Sequence, residues 1–288
     1  MRIVMKRNIV ILTWVSLFLA SCEDVVDVKL KDGERYLVID AFLNNRPIPQ
    51  NIRISYSSPY FSNAETPFEP NANVKVIDLT TQDTAQFVHK GNGNYEYIPD
   101  TSKMFFQVNH EYQLWVEVNG NRYEAKSRLN RTTVIDTFVY EKNESNFGPK
   151  GKYFAGFIAR DSLGGPDYYW FKAYYNGQFL SRPNDINLAV DGASGEGADG
   201  FFFTPNIAFG INPTDGLSVG DSIAVEIYSL NKETWIFLRQ ARDEMTNGGL
   251  FARTPENIVT NIRSNNNQKV LGFFNTGASS IRGVTIRE

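Results

Sequence analysis

Residues that could carry catalysis are few in this 288-residue chain. It holds two histidines, His89 and His110, and one cysteine, Cys22. A Ser-His-Asp triad needs a histidine oriented by the fold, but no G-x-S-x-G motif accompanies either histidine. We therefore interpret both histidines as exposed residues at strand ends. These counts also exclude Cys₄, Cys₂His₂ and His₃ zinc sites, and we expect the protein not to be an enzyme.

Carboxylates offer two further kinds of chemistry. A surface hydrolase could use two acids about 5–9.5 Å apart in a cleft. No motif singles out such a pair among the 32 acidic residues. Asp191, Glu196 and Asp199 lie in a glycine-rich loop, and oxygen ligands on a pliable loop suit Ca²⁺. The EF-hand spacing is absent, because Ala193 and Gly195 stand where Asp or Asn is needed. We favour a loop without metal, and we predict no cofactor.

An aromatic run, YYWFKAYY at 168–175, is the most distinctive candidate contact surface. Its continuous apolarity fits a strand that is buried on both faces or that meets a partner on one of them. Core packing is one interpretation, and contact with a carbohydrate or peptide ligand or a protein partner is the other. If one face is exposed, we expect it to be the face with the lysine. Strand alternation places on that face Tyr168, Trp170, Lys172 and Tyr174.

The N-terminus has the layout of a secretory signal. Three cations precede an apolar run at 9–20, and small residues follow it. A helix of that length is too short to span about 30 Å of hydrocarbon. The residues just before Cys22 fit the bacterial lipoprotein box, and they are Leu19, Ala20 and Ser21. We therefore predict a signal peptide at 1–21.

In lipoproteins of that class, the thiol receives a diacylglycerol and the new N-terminus is acylated, and several chains make a stable anchor. We predict this modification at Cys22 and an acylated tether at 22–33. Loss of the leader removes three of the 29 cations, which leaves 26 against 32 anions and a charge of −6. That balance gives no reason to expect a nucleic-acid partner. The acids Glu23, Asp24 and Asp27 resemble a surface-export signal of Bacteroidota lipoproteins, so we favour the cell surface over the periplasmic face of the outer membrane.

The rest of the chain is expected to be mostly β, in two β-rich domains. About seven short strands at regular spacing between 34 and 128 predict an immunoglobulin-like or prealbumin-like sandwich. The segment 129–288 is expected to form a β-barrel or a second sandwich. It carries one helical pattern near 231–247, in which Asn231 could cap the start and Gly248 and Gly249 end the helix.

Features spread along nearly the whole chain resemble a family of Bacteroidota lipoproteins, domain of unknown function 4249. The features are the lipobox at Cys22 and the segments Tyr36–Asp40, Ile54–Phe61, Ala72–Val76, Gly93–Tyr95, Tyr112–Leu114, Tyr168–Trp170 and Gly272–Phe274. The resemblance implies an exported envelope protein beside a TonB-dependent outer-membrane transporter, and it brings no catalytic residues.

These observations lead us to expect a non-enzymatic, lipid-anchored accessory protein of an outer-membrane uptake system. It would bind a nutrient or the transporter through its second domain. Two alternatives stay open. One is the carboxylate hydrolase, and the other is a structural or adhesin-like envelope protein.

Overall fold

Strands account for most of the fold, as the alternating patterns predict. The computed structural model describes residues 34–58, 65–145, 148–190, 200, 202–203, 211–248, 252–254 and 256–288. Strands β1 to β17 of these residues are Leu37–Asn44, Gln50–Tyr56, Asn73–Asp78, Thr84–Gly91, Asn94–Tyr97, Glu111–Val118, Asn121–Arg128, Ile135–Lys142, Tyr153–Arg160, Tyr168–Tyr175, Gln178–Phe179, Asn187–Val190, Phe202–Phe203, Ser222–Leu230, Arg263–Ser264, Val270–Gly277 and Ser279–Thr285. Helix α1 is Lys232–Met245, and Pro183–Asp185 forms a 3-10 turn.

The first sheet contains all seven strands predicted between 34 and 128. Its order is β15-β7-β6-β3-β4-β5-β2-β1-β16. In β1, Leu37, Ile39, Ala41 and Leu43 are buried in alternation, and each large aliphatic side chain contributes about 1.5–3 kcal/mol through the burial of apolar surface. Strand β4 pairs with β3 through its first half and with β5 through its second half, so the sheet bends around one core.

Strand β16 joins the first sheet from the far end of the chain. It runs parallel to β1 in a register that starts at Leu37 opposite Val270. Near the other end of β16, the backbone N–H of Thr276 donates to Oγ of Ser127 in β7 at 2.8 Å, so the sheet nearly closes on itself. The first sheet therefore crosses the predicted division at 128, and Arg35–Glu288 form one compact unit.

Two smaller sheets enclose a second core. One has the order β11-β10-β14-β17, with β12 also paired to β10, and the other has the order β13-β9-β8. Phe157 of β9 meets Phe171 of β10 at 5.2 Å between ring centroids, and Ile227 of β14 lies in the same buried cluster. The mostly β fold class with one helix is confirmed.

Helix α1 lies inside the predicted range, but its ends differ from the prediction. Asn231 occupies the N-cap position without a side-chain cap bond. Its Nδ2 instead donates to Oγ of Ser127 at 2.8 Å and to the carbonyl of Arg128 at 3.1 Å. The helix ends at Thr246 rather than at the glycines, and the Thr246 hydroxyl donates to the Arg242 carbonyl at 2.9 Å. No helix among the described residues has the length and apolarity to cross a bilayer.

One buried amide connects the first sheet to the second and to α1. Oδ1 of Asn275 in β16 accepts from the Thr234 hydroxyl at 2.7 Å and from the backbone N–H of Asn231 at 3.2 Å. Its Nδ2 donates to the Tyr228 hydroxyl at 3.1 Å and to the Ser229 carbonyl at 3.3 Å. We call this set of bonds the Asn275 junction. An unpaired buried polar group costs about 1–3 kcal/mol, so the junction constrains all three elements.

Gly272 tests how tightly β1 and β16 approach. Its φ is +91°, and an added Cβ would lie 2.1 Å from the Ile39 carbonyl oxygen. We expect Gly272→Ala to lower the free energy of unfolding by about 3 kcal/mol or more, because a backbone clash adds to the conformational strain. Gly91→Ala is the matched control, since Gly91 has a φ of +107° and no atom within 4 Å of such a Cβ. Gly91→Ala should lower the free energy of unfolding by only about 1–2 kcal/mol. Urea unfolding measures both, and equal losses would contradict the close approach.

Candidate functional site

The aromatic strand β10 divides its side chains between two surfaces, as the alternation predicts. Tyr169, Phe171 and Ala173 are buried in the second core. The side chains on the opposite face are half-buried rather than freely exposed, and they are Tyr168, Trp170, Lys172 and Tyr174. The structure thus brings the four predicted contact residues together on one face.

Rings from three other elements explain why that face is half-covered. Phe42 of β1 meets Trp170 edge-on, with 5.8 Å between ring centroids. Trp235 of α1 lies 6.0 Å from Tyr168, and Phe179 of β11 lies 6.1 Å from Trp170. Phe179 itself keeps 41% of its surface exposed, so this part of the covering is in contact with solvent.

A cluster of five residues on β10 and β14 forms the candidate site. It consists of Trp170, Lys172, Tyr174, Glu226 and Tyr228, and we call it the Lys172 site. Lys172 and Glu226 are directly opposite each other in the register of the two strands. Both strands are central in their sheet, which fixes the spacing of these side chains.

Aromatic ring faces hold the Lys172 ammonium. Its Nζ lies 3.9 Å from the ring centroid of Tyr228 and 4.7 Å from that of Trp170. No hydrogen bond or ion pair to the ammonium is found among the residues that the structure describes. Burial lowers the pKa of Lys172; the Glu226 charge opposes this shift and the Arg46 charge adds to it. Ring faces stabilise a cation by about 2 kcal/mol or more when it is desolvated, which favours the charged form.

Glu226 is the buried anion of the site, with 2% of its surface exposed. It accepts from the Tyr174 hydroxyl at 2.7 Å and also from the Ser279 hydroxyl. Burial alone would raise its pKa, but the Lys172 charge and the two hydroxyl donors outweigh burial, so the pKa is lowered. Burial and the bond to Glu226 raise the pKa of Tyr174. The carboxylate is therefore ionised and already engaged.

Burial and hydrogen bonds hold the Tyr228 ring in a fixed position in the site. Its side chain is fully buried, and its hydroxyl donates to the Leu43 carbonyl at 2.7 Å while it accepts from Asn275. Two indole N–H groups nearby, of Trp170 and Trp235, are buried without an acceptor among the described residues. A buried donor without a partner is uncommon in native proteins. The site therefore presents an ammonium and an indole donor that can bind an acceptor-bearing ligand.

The two histidines hold structural positions, and the expectation that both are exposed is wrong. Nδ1 of His110 lies 2.7 Å from Oδ2 of Asp78. Asp78 is buried, and its Oδ1 accepts from the backbone N–H of Thr80 at 2.8 Å. His89 is half-buried, with its ring 5.1 Å from that of Tyr95. Cross-strand packing covers both imidazoles, which a pattern of strand ends does not reveal.

The sequence offered two further sets of candidate residues. The lipobox residues Leu19, Ala20, Ser21 and Cys22 and the loop acids Asp191, Glu196 and Asp199 lie outside the described residues. Within the described part, no group of three His, Cys, Asp or Glu side chains could hold a metal ion. A shallow polar depression near the end of α1 is lined by residues that include Gln240, Asp243, Glu244, Arg253 and Glu256.

Sequence reasoning missed Glu226, Tyr228 and the contribution of Phe42. A signal for Glu226 was present, because it is the charged residue inside the otherwise apolar strand β14, SIAVEIYSL. A charge in such a strand is buried only when it is paired or hydrogen-bonded. No pattern links Phe42 to β10, since the two strands belong to different sheets.

Glu226 should give the unfolding free energy a dependence on acid pH. A lowered folded-state pKa means that its stabilisation is present above the reference value of 4.5 and is lost as pH falls through the folded pKa. We expect Glu226→Gln to lower the free energy of unfolding by about 2–3 kcal/mol at pH 7. The difference from the wild-type protein should shrink below pH 4.5. Lys172→Met should move the acid transition to higher pH. Urea unfolding between pH 3 and pH 7 measures this, and an unchanged acid dependence in Glu226→Gln would contradict it.

The chain was compared with curated proteins and with solved structures. No curated protein matches this chain. One solved structure that matches is described as "Crystal structure of tetra-tandem repeat in extending region of large adhesion protein" and is 12% identical. The match covers 69% of this chain and 46% of that chain, with a TM-score of 0.21, and it carries no argument.

The family comparison covers most of the chain. The model described as "Domain of unknown function (DUF4249)" matches residues 23–282, which include every strand of both cores up to the middle of β17. The resemblance seen in the sequence is thereby confirmed. This chain belongs to the DUF4249 family.

Proposed function

We propose that the protein is a non-enzymatic, lipid-anchored accessory protein of the outer membrane that assists a TonB-dependent transporter. The observation that carries the proposal is the position of Cys22, the one cysteine of the chain, directly after Leu19, Ala20 and Ser21. A thiol at this place is where a lipoprotein receives its diacylglycerol, and two or more chains anchor a protein stably. The transporter partner is what the family resemblance implies.

The Lys172 site supports a binding role for the folded part of the chain. Its ammonium contacts two ring faces, and its one carboxylate is occupied by two hydroxyls. The ring contacts and the Glu226 charge favour the charged ammonium, while burial acts against it. In its charged form, this ammonium suits the binding of an anionic ligand.

The cell surface is the location that we propose for the folded part. Three acids, Glu23, Asp24 and Asp27, follow Cys22 directly. They are the feature that resembles a surface-export signal. Protease shaving of intact cells distinguishes the two leaflets, because only a surface protein is cut without lysis.

The anchor is tested by Cys22→Ala in the native host. We expect the variant to lose acyl labelling and to leave the membrane fraction, because the thiol that accepts the lipid is gone. Alkynyl palmitate incorporation and fractionation measure both. Ser21→Ala is the matched control, since it keeps a small residue before the cysteine, and it should stay labelled. A wild-type protein without label would overturn the anchor.

The transporter role is tested by purification from solubilised membranes. We expect the tagged wild-type protein to retain a TonB-dependent transporter in detergent after mild cross-linking, because an accessory protein must contact the channel that it serves. The Cys22→Ala variant, which is released from the membrane, is the control and should retain none. Recovery of the anchored protein without any transporter would contradict the role.

A further inference from the structure

We propose that the Lys172 site binds the carboxylate group of a small organic anion. This inference rests on the proposed binding function and names the chemistry of the ligand. The ammonium of Lys172 and the indole N–H of Trp170 would be the two donors to the carboxylate oxygens. The exposed part of Phe179 would face the apolar body of the same molecule.

Charge balance is the first support. The charges of Lys172 and Arg46 both act on Glu226, which is the one carboxylate that acts on Lys172. Two cations against one anion leave a local excess of one positive charge. Glu226 compensates only one of these two cations, and burial of an uncompensated charge carries a desolvation penalty of several kcal/mol. An anionic ligand removes that penalty.

Unused hydrogen-bonding capacity is the second support. Glu226 accepts from Tyr174 on one oxygen and from Ser279 on the other, and among the described residues no hydrogen bond joins it to the Lys172 ammonium. Nε1 of Trp170 is buried without an acceptor among the described residues, and the Lys172 Nζ lies 4.7 Å from the centroid of that same indole ring. The ammonium therefore lies over the same ring that carries the free indole N–H. A carboxylate has two oxygens and can accept from both.

The walls of the site indicate what the carboxylate is attached to. Phe179 lies 5.6 Å from Tyr174 and 6.1 Å from Trp170 and is 41% exposed. Phe42 also meets Trp170, with 5.8 Å between ring centroids. An apolar or ring-shaped body fits against these surfaces. A carboxylate carries one negative charge and matches the local excess of one positive charge, whereas phosphate carries between one and two near pH 7.

The test is calorimetric titration of the full-length mature protein in detergent. Benzoate is the first probe, and benzamide is its neutral isostere. We expect benzoate to bind at least tenfold more tightly than benzamide, because only benzoate supplies the charge. Two further comparisons of affinity identify the better source of the carboxylate. Glucuronate is compared with glucose to test a sugar acid, and a free-acid tripeptide is compared with its amide to test a peptide terminus.

Two variants assign the binding to this site. Lys172→Met keeps the apolar stem and should weaken binding of the preferred carboxylate tenfold or more. Lys75→Met is the matched control, because Lys75 lies over the Trp115 ring at 4.2 Å on the first sheet, and it should change affinity by less than twofold. If Lys172→Met fails to fold, Trp170→Phe removes the N–H and keeps a ring, and it should weaken binding severalfold.

Three results would overturn the inference. They are the absence of carboxylate-dependent heat for every probe, equal affinity for acids and their neutral isosteres, and tighter binding of inorganic phosphate. None of these bears on lipid labelling or transporter co-purification, so the ligand class and the proposed function can fail separately. Carboxylate binding with no transporter partner would leave the ligand class standing and remove the transporter role.

Discussion

Asn275 of β16 is joined to two other elements, α1 and β14, by the hydrogen bonds of one buried amide. Its oxygen holds the start of α1 through Thr234 and Asn231, and its nitrogen holds β14 through Tyr228 and Ser229. The residue itself belongs to β16, which pairs in parallel with β1. Because every partner is buried or half-buried, a shift of one element leaves polar groups unpaired in the others, and the three elements keep one arrangement.

The Lys172 site depends on that junction. The Tyr228 hydroxyl is hydrogen-bonded to Asn275 and to the Leu43 carbonyl. The centroid of its ring lies 3.9 Å from the lysine ammonium. The position of the cation in the second sheet is therefore set by strands of the first. Strand β10 serves the core and the site at once, because successive side chains of a strand point to opposite faces.

Local patterns predicted much of the fold. Seven strands between 34 and 128, the alternation of β10 and a helix inside 231–247 all follow from short-range periodicity, and the structure has each of them. The same patterns failed where a distant segment decides the outcome. Asn231 was expected to cap α1 with its side chain, but Ser127 and Arg128 of the first sheet bind that side chain instead. Periodicity holds no information on partners a hundred residues away.

The sequence by itself determined the mostly β class, the family, and the grouping of Tyr168, Trp170, Lys172 and Tyr174 on one face, because each is written in local spacing or in residue order. Only the tertiary structure decided that β16 pairs with β1, that Glu226 lies opposite Lys172, and that Phe42 covers Trp170. Those outcomes depend on which surfaces bury apolar area and satisfy hydrogen bonds together, and that is a property of the whole packed chain rather than of any one segment.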